Sequence, residues 1–126
     1  MAQVVAMPRP ASWALTATSD PAGAATLSVP APAAGAGLRH LLSALAVCWG
    51  GGSYGGGDVQ VWDGAVGTGN LLFAAYLGPG SQSWSWPNPL PCTVGNPLNI
   101  VAAGGGAGIT MRIAASGPTA AISESS

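Results

Sequence analysis

Few side chains in this sequence could perform acid–base, nucleophilic or metal chemistry. The candidates are the only histidine, His40, and the two cysteines, Cys48 and Cys92. A catalytic triad needs a base and an orienting acid beside its nucleophile. The sequence has no G-x-S-x-G elbow, and His40 lies in the most apolar stretch. Zinc ligands at spacings such as C-x-x-C are also missing. We therefore predict no catalytic residue, no metal site and no enzymatic activity.

Carboxylates and glycine-rich segments give no stronger signal. Asp58 and Asp63 are the only close pair of carboxylates, and they bracket a predicted strand beside turns, where aspartate commonly forms the turn itself. The segment Gly50–Gly57 lacks the lysine and the following hydroxyl residue of a phosphate-binding loop. We therefore expect no cofactor.

The chain is poor in charge. Three arginines and four acidic residues make up 6% of 126 residues, and the net charge is −1, whereas soluble domains carry about 25% charged residues. No basic patch is present to neutralise phosphates, so direct nucleic-acid binding is not expected. Charge is also what normally keeps a monomer soluble. The composition therefore favours a structural subunit whose surface is covered by partners.

Neither a membrane segment nor a secretory signal is predicted. No apolar run reaches the roughly 18 residues of a membrane helix, and Pro8 and Pro10 interrupt an N-terminus that has no basic region. Cys48 and Cys92 could form one disulfide, but a lone pair does not define a disulfide framework. Two reduced cysteines in the core are the favoured interpretation, because buried thiols behave as small hydrophobic groups.

Alternating apolar residues between turns predict short strands. In one segment Val59, Val61 and Asp63 share a face, while Gln60 and Trp62 share the other. Eight strands are predicted, at residues 12–18, 24–29, 38–49, 58–64, 70–77, 81–86, 98–103 and 108–116. This pattern predicts an all-β fold, an antiparallel β-sandwich of about eight strands that is jelly-roll-like.

Three parts of this prediction carry further detail. Residues 38–49 would also suit a helix by their leucine spacing, but their neighbours favour a strand with Leu41, Ser43, Leu45, Val47 and Trp49 on one face. Residues 87–91 are expected to form a proline-rich bend. The last two strands are expected to pair as a hairpin.

One domain is predicted, flanked by two segments. Residues 1–11 form an extended N-terminal arm, residues 12–116 form the sandwich, and residues 117–126 form a flexible tail. Apolar side chains and prolines in the arm could dock on a neighbour's sheet or groove. The predicted contacts in the arm are Val4, Val5, Met7, Pro8, Arg9 and Pro10.

Trp84 and Trp86 are the strongest candidate binding feature inside the domain. Two tryptophans two positions apart on a strand share one face, so they could stack on a sugar or anchor a partner protein. Burial in the core or between subunits is the competing interpretation. We predict that both contribute to a partner interface.

Several segments together carry a family resemblance. They are the opening Trp13-Ala-Leu-Thr-Ala-Thr, the alanine-rich stretch Ala24–Val47 with its Gly-Leu-Arg-His, and the later Val61-Trp-Asp-Gly. Over residues 12–116 the chain resembles small virion proteins of tailed bacteriophages. The resemblance implies a β-sandwich that serves as capsid cement or decoration, or as a tail or fibre module, with no cofactor and no catalytic residue.

The hypothesis that follows is a structural virion protein. As a cement or decoration subunit it would bind the major capsid protein and copies of itself, as a dimer or trimer, on the outer capsid surface after synthesis in the host cytoplasm. The alternative is a receptor- or carbohydrate-binding module of a phage tail or fibre.

Overall fold

The protein is built from β-strands. The computed structural model describes residues 11–20, 23–33, 35–51, 57–77, 81–104, 106 and 108–121. Within these ranges there are eight strands and no helix, so the prediction of an all-β fold is confirmed and residues 38–49 form a strand. The strands are β1 (Ala11–Thr18), β2 (Ala25–Val29), β3 (Leu38–Gly50), β4 (Gly57–Asp63), β5 (Asn70–Leu77), β6 (Gln82–Pro91), β7 (Leu98–Ala102) and β8 (Thr110–Ala121).

The strands form two antiparallel sheets of four. Sheet I has the order β1-β8-β3-β6, and sheet II has the order β2-β7-β4-β5. Strands β1 and β8, β2 and β7, β3 and β6, and β4 and β5 are all hydrogen-bonded neighbours. The chain therefore folds as one long hairpin, with β4 and β5 at its tip, that is rolled into two sheets. This connectivity is that of a jelly roll, as predicted.

The core lies between the sheets and follows the strand period of two. In β2 and β7 every second residue is buried, and these side chains face those of β3 and β8 across the sandwich. Fully buried large side chains come from both sheets and from Ile109, which immediately precedes β8: Leu42, Leu45, Val47, Val59, Val61, Leu77, Leu98, Ile100, Ile109, Met111 and Ile113. Each contributes roughly 1.5–3 kcal/mol on burial.

In strand β3 the alternation of inward and outward side chains reverses at a β-bulge. Between His40 and Ala44 it has one residue more than the facing stretch of β8. Leu42 is therefore fully buried and Leu45 follows it into the core, whereas Leu41 and Ser43 are only partly buried. The predicted single face of β3 is correct from Leu45 onward and wrong before it, because an extra residue reverses the alternation.

The bulge is matched by a glycine on the neighbouring strand. Gly117 of β8 is buried opposite the bulge, and a Cβ atom added there would overlap the carbonyl oxygen of Leu41 and crowd the amide of Ser43. Only a residue without a side chain lets the two backbones approach this closely.

Two further expectations are corrected. Residues 87–91, expected as a bend, belong to β6, although the pairing of β6 with β3 is interrupted between Ser85 and Leu90. Their three prolines are tolerated because β6 is an edge strand, with one side free of ladder hydrogen bonds. The last two strands do not pair as a hairpin, because β7 lies in sheet II and β8 in sheet I. In this jelly roll only β4 and β5, among consecutive strands, share a sheet.

The ends of the domain also differ from the expected boundaries. Strand β8 continues to Ala121, so residues 117–121 belong to sheet I and not to a tail. Strand β1 begins at Ala11 on the edge of the same sheet. Residues 1–10 of the expected arm and residues 122–126 lie outside the described residues.

We predict that Gly117→Ala lowers the free energy of unfolding by at least about 2 kcal/mol, because the new methyl group must displace backbone and not a mobile side chain. Urea unfolding of the purified variant measures this loss. The control is Gly50→Ala, at the end of β3, where an added Cβ meets nothing within 4 Å. Equal stability of the two variants would contradict the proposed role of the close approach.

Candidate binding surface

His40 is used for structure. Its side chain is buried, and Nε2 lies 2.7 Å from the carbonyl oxygen of Pro30 while Nδ1 lies 2.7 Å from Oγ1 of Thr119. A carbonyl can only accept, so Nε2 carries the hydrogen and donates it; in the neutral ring Nδ1 then accepts from the threonine hydroxyl. The histidine thereby links the end of β2 in sheet II to β8 in sheet I. Both of its ring nitrogens are engaged in this link.

Asp63 anchors the loop between β6 and β7. Its carboxylate is buried and accepts hydrogen bonds from the backbone N–H of Thr93 (3.0 Å), the Thr93 hydroxyl (2.7 Å) and Nδ2 of Asn96 (3.0 Å). Burial by itself raises the pKa of Asp63. These bonds and one from Asn70 outweigh it, so that the pKa lies below its ordinary value of 3.8. Asp63 is therefore an ionised structural anchor.

We predict that Asp63→Asn lowers the free energy of unfolding at pH 7 by roughly 1–3 kcal/mol, because charge-assisted hydrogen bonds are lost. Since the folded pKa of Asp63 is depressed, its contribution is complete above the unfolded pKa and disappears as the pH falls through the folded pKa. Urea unfolding between pH 7 and pH 2.5 should show this loss in the wild type. The variant should lack that part of the pH dependence, whereas Asp20→Asn, in an exposed turn, should retain it. Equal stability of Asp63→Asn and the wild type at pH 7 would contradict the anchor role.

The two cysteines occupy different environments and form no disulfide. Cys92 is buried next to the Asp63 anchor; burial, with the negative charge of Asp63, raises its pKa to about 12, which keeps it a thiol. Cys48 is only partly buried, so the expectation of two core cysteines is correct for Cys92 and wrong for Cys48.

In the described part of the chain, no group of three or more His, Cys, Asp or Glu side chains is arranged to hold a metal ion.

Trp84 and Trp86 pack at one side of the sandwich. Both are partly buried, and the ring of Phe73 on β5 meets them edge to face, with centroid distances of 5.4 Å to Trp84 and 5.1 Å to Trp86. Strands β5 and β6 are edge strands, so these rings close the gap between the sheets there. Their contact with a partner stays a prediction, as does that of the arm residues 4–10, which lie outside the described residues.

The outer face of sheet I carries an array of small side chains. Cross-strand register aligns Thr16, Ala114, Ala46 and Ser83 in one row. It aligns Ala14, Ser116, Ala44 and Ser85 in the next row. We call these eight residues the small-residue face. A shallow depression of about 560 Å³ lies over it.

Sequence reasoning did not find the small-residue face. Its signal is present as alanine, serine and threonine in the outward positions of four strands, but these strands are distant in sequence. They become neighbours only through the jelly-roll connectivity. The eight side chains of this face are small and uncharged, which suits contact with another surface.

The fold and this surface define a small jelly-roll module with a smooth outer face. No protein-family model matches the sequence, and no curated protein matches it. Among solved structures, a crystal structure of FLHE is similar at 12% sequence identity and a TM-score of 0.38, covering 85% of this chain and 97% of that chain. A likeness this weak supports no statement about function. Among the described residues, no helix is long and apolar enough to cross a membrane.

Proposed function

We propose that this protein is a structural virion subunit of the cement or decoration type, which binds neighbouring capsid proteins through the small-residue face of sheet I. The jelly roll is used in viral capsid proteins and in lectins, and this analogy at the level of the fold favours a binding role. The observation that carries the proposal is the small-residue face itself, eight adjacent outward positions without a charge.

Small side chains make this face suited to a tight protein contact. Alanine, serine and threonine lose little rotamer freedom when they are covered, so docking of a partner on this face costs little side-chain entropy. Their short side chains also let a second backbone approach closely. A monomer would normally place charged residues on such a sheet face. The composition of the face therefore favours a surface that is covered in the assembly.

Charge placement indicates the character of the partner. Both arginines in the described part of the chain lie on sheet I, Arg39 on β3 and Arg112 on β8. Arg112 is exposed beside the small-residue face, and Arg39 is partly exposed near its other end. A partner that covers this face would complement them with carboxylates at the rim, where such pairs direct orientation and association rate more than affinity.

The alternative function, a receptor- or carbohydrate-binding module of a tail or fibre, would use Trp84 and Trp86 as a stacking platform. Their packing against Phe73 covers part of each ring. We therefore favour the structural virion role over a stacking platform at Trp84 and Trp86.

We predict that Ala46→Arg abolishes binding to capsids while the domain stays folded, because a long charged side chain would stand in the centre of the small-residue face. The wild type and the variant are incubated with particles from the organism that encodes the chain, after its own copy has been deleted, and binding is measured by co-sedimentation. Ala65→Arg, in the exposed turn after β4, is the matched control. The proposal fails if the wild type does not bind, or if Ala46→Arg binds as well as Ala65→Arg.

The N-terminal arm is proposed to strengthen the same assembly. It precedes β1, which is an edge strand of sheet I and could extend its pairing to a neighbour.

We predict that removal of residues 1–10 leaves thermal unfolding unchanged but reduces oligomer size and capsid binding. Light scattering and co-sedimentation of the truncated and full-length chains measure both effects. Identical behaviour would eliminate the arm as an assembly element.

A further inference from the structure

The outer face of sheet II differs chemically from that of sheet I. Four of the five tryptophans pack against the core, but Trp62 on β4 does not; it lies on the outer face and is partly exposed. Gln60 and Asp58 precede it on the same face of the strand. On the neighbouring strand β5, Leu71 lies opposite Trp62 and Tyr76 lies opposite Asp58. We call these five residues the aromatic–polar face.

A line of hydrogen bonds fixes the polar groups of this face. The indole Nε1–H of Trp62 donates to Oε1 of Gln60 over 3.0 Å, and Nε2 of Gln60 donates to Oδ2 of Asp58, also over 3.0 Å. The amide of Gln60 is thereby held in one orientation. It retains a second N–H and a second lone pair, and the Asp58 carboxylate retains further acceptor sites. These groups are pre-positioned to bind hydroxyl groups of a ligand.

The apolar groups of the face are strongly exposed. Tyr76 is 74% exposed and Leu71 is 50% exposed, the two largest values among the big hydrophobic side chains of the described residues. The positions of Trp62 and Tyr76 are roughly 14 Å apart along the sheet, from the spacing of residues and strands. The line of Gln60 and Asp58 runs between them. An extended ligand could therefore contact an aromatic ring at each end and polar groups in the middle.

We propose that the aromatic–polar face binds a neutral oligosaccharide or polysaccharide chain. A sugar ring has an apolar C–H surface, which packs on an aromatic ring, and a rim of hydroxyls, which exchange hydrogen bonds with amides and carboxylates. The face supplies an aromatic ring at each end and polar groups between the rings. A single sugar does not reach from Trp62 to Tyr76, so the fitting ligand is a chain.

Charge selects among the glycans. Asp58 is the only charged residue on the outer face of sheet II within the described residues, and both described arginines belong to sheet I. An acidic polysaccharide would meet a carboxylate and no cation, which disfavours it. Beyond Trp62 the surface continues with Asn99 and Ser28, which are uncharged and joined by a 2.6 Å hydrogen bond. The chemistry therefore fits neutral chains. This inference is independent of the virion role, because it concerns the opposite sheet and the isolated chain.

Binding of the purified full-length chain to polysaccharides tests the proposal. The probes are the neutral polymers cellulose, chitin, mannan and starch, with alginate as an acidic comparison, and depletion isotherms give the affinity. We expect at least one neutral probe to bind. Tyr76→Ala and Trp62→Ala should each weaken binding at least about tenfold, and Trp62→Phe, which retains an aromatic ring, should weaken it less.

The control is Val66→Ala, another exposed apolar residue, in the turn after β4 and outside the five residues of the face, and it should bind like the wild type. Tyr76 is so exposed that its replacement leaves the fold intact, and thus the test stands even if Trp62→Ala fails to fold. The proposal is overturned if no neutral probe binds, if only alginate binds, or if Tyr76→Ala binds as tightly as Val66→Ala.

Discussion

The pairing of β3 with β8 is the constraint on which the rest of the structure depends. These two strands form the centre of sheet I. The bulge between His40 and Ala44 determines which side chains of each half of β3 point into the core and which point outward. Before the bulge His40 points inward, where it links the two sheets. After it Leu45 and Val47 enter the core and the alanines turn outward. A register without the bulge would exchange core and surface along one half of the strand. Gly117 permits the close approach that the bulge requires.

Alternate side chains of each strand point into the core. The side chains between them lie on the outer surface and can carry function. In sheet I the outer side chains of the small-residue face are small and uncharged, whereas those of sheet II include Trp62, Gln60, Asp58 and Tyr76. The two faces share no side chain, so each can change without disturbing the other. Both rest on the same buried layer. The stability of that layer is set by apolar area and by the Asp63 and His40 contacts at one end of the sandwich.

The sequence was informative where alternation alone decides the structure. In β4 it predicted that Val59, Val61 and Asp63 share one face, and it placed Trp62 on the other. It did not predict the bulge in β3, because an extra residue leaves no mark in an apolar run. It also did not predict that β6 continues through its prolines, since edge position is a property of the sheet. The sequence did not predict the small-residue face, because the connectivity of the fold determines which strands are neighbours.

The separation of the two faces has a consequence for an assembly. In a sandwich the sheets pack back to back about 10 Å apart, so a partner that covers sheet I leaves sheet II exposed to the outside. The arginines on sheet I would face the partner, and the carboxylate of Asp58 would face solvent. A subunit docked in this way would display Trp62 and Tyr76 outward. The structural role and the glycan-binding role would then operate together, since binding at one face neither blocks nor requires a change at the other.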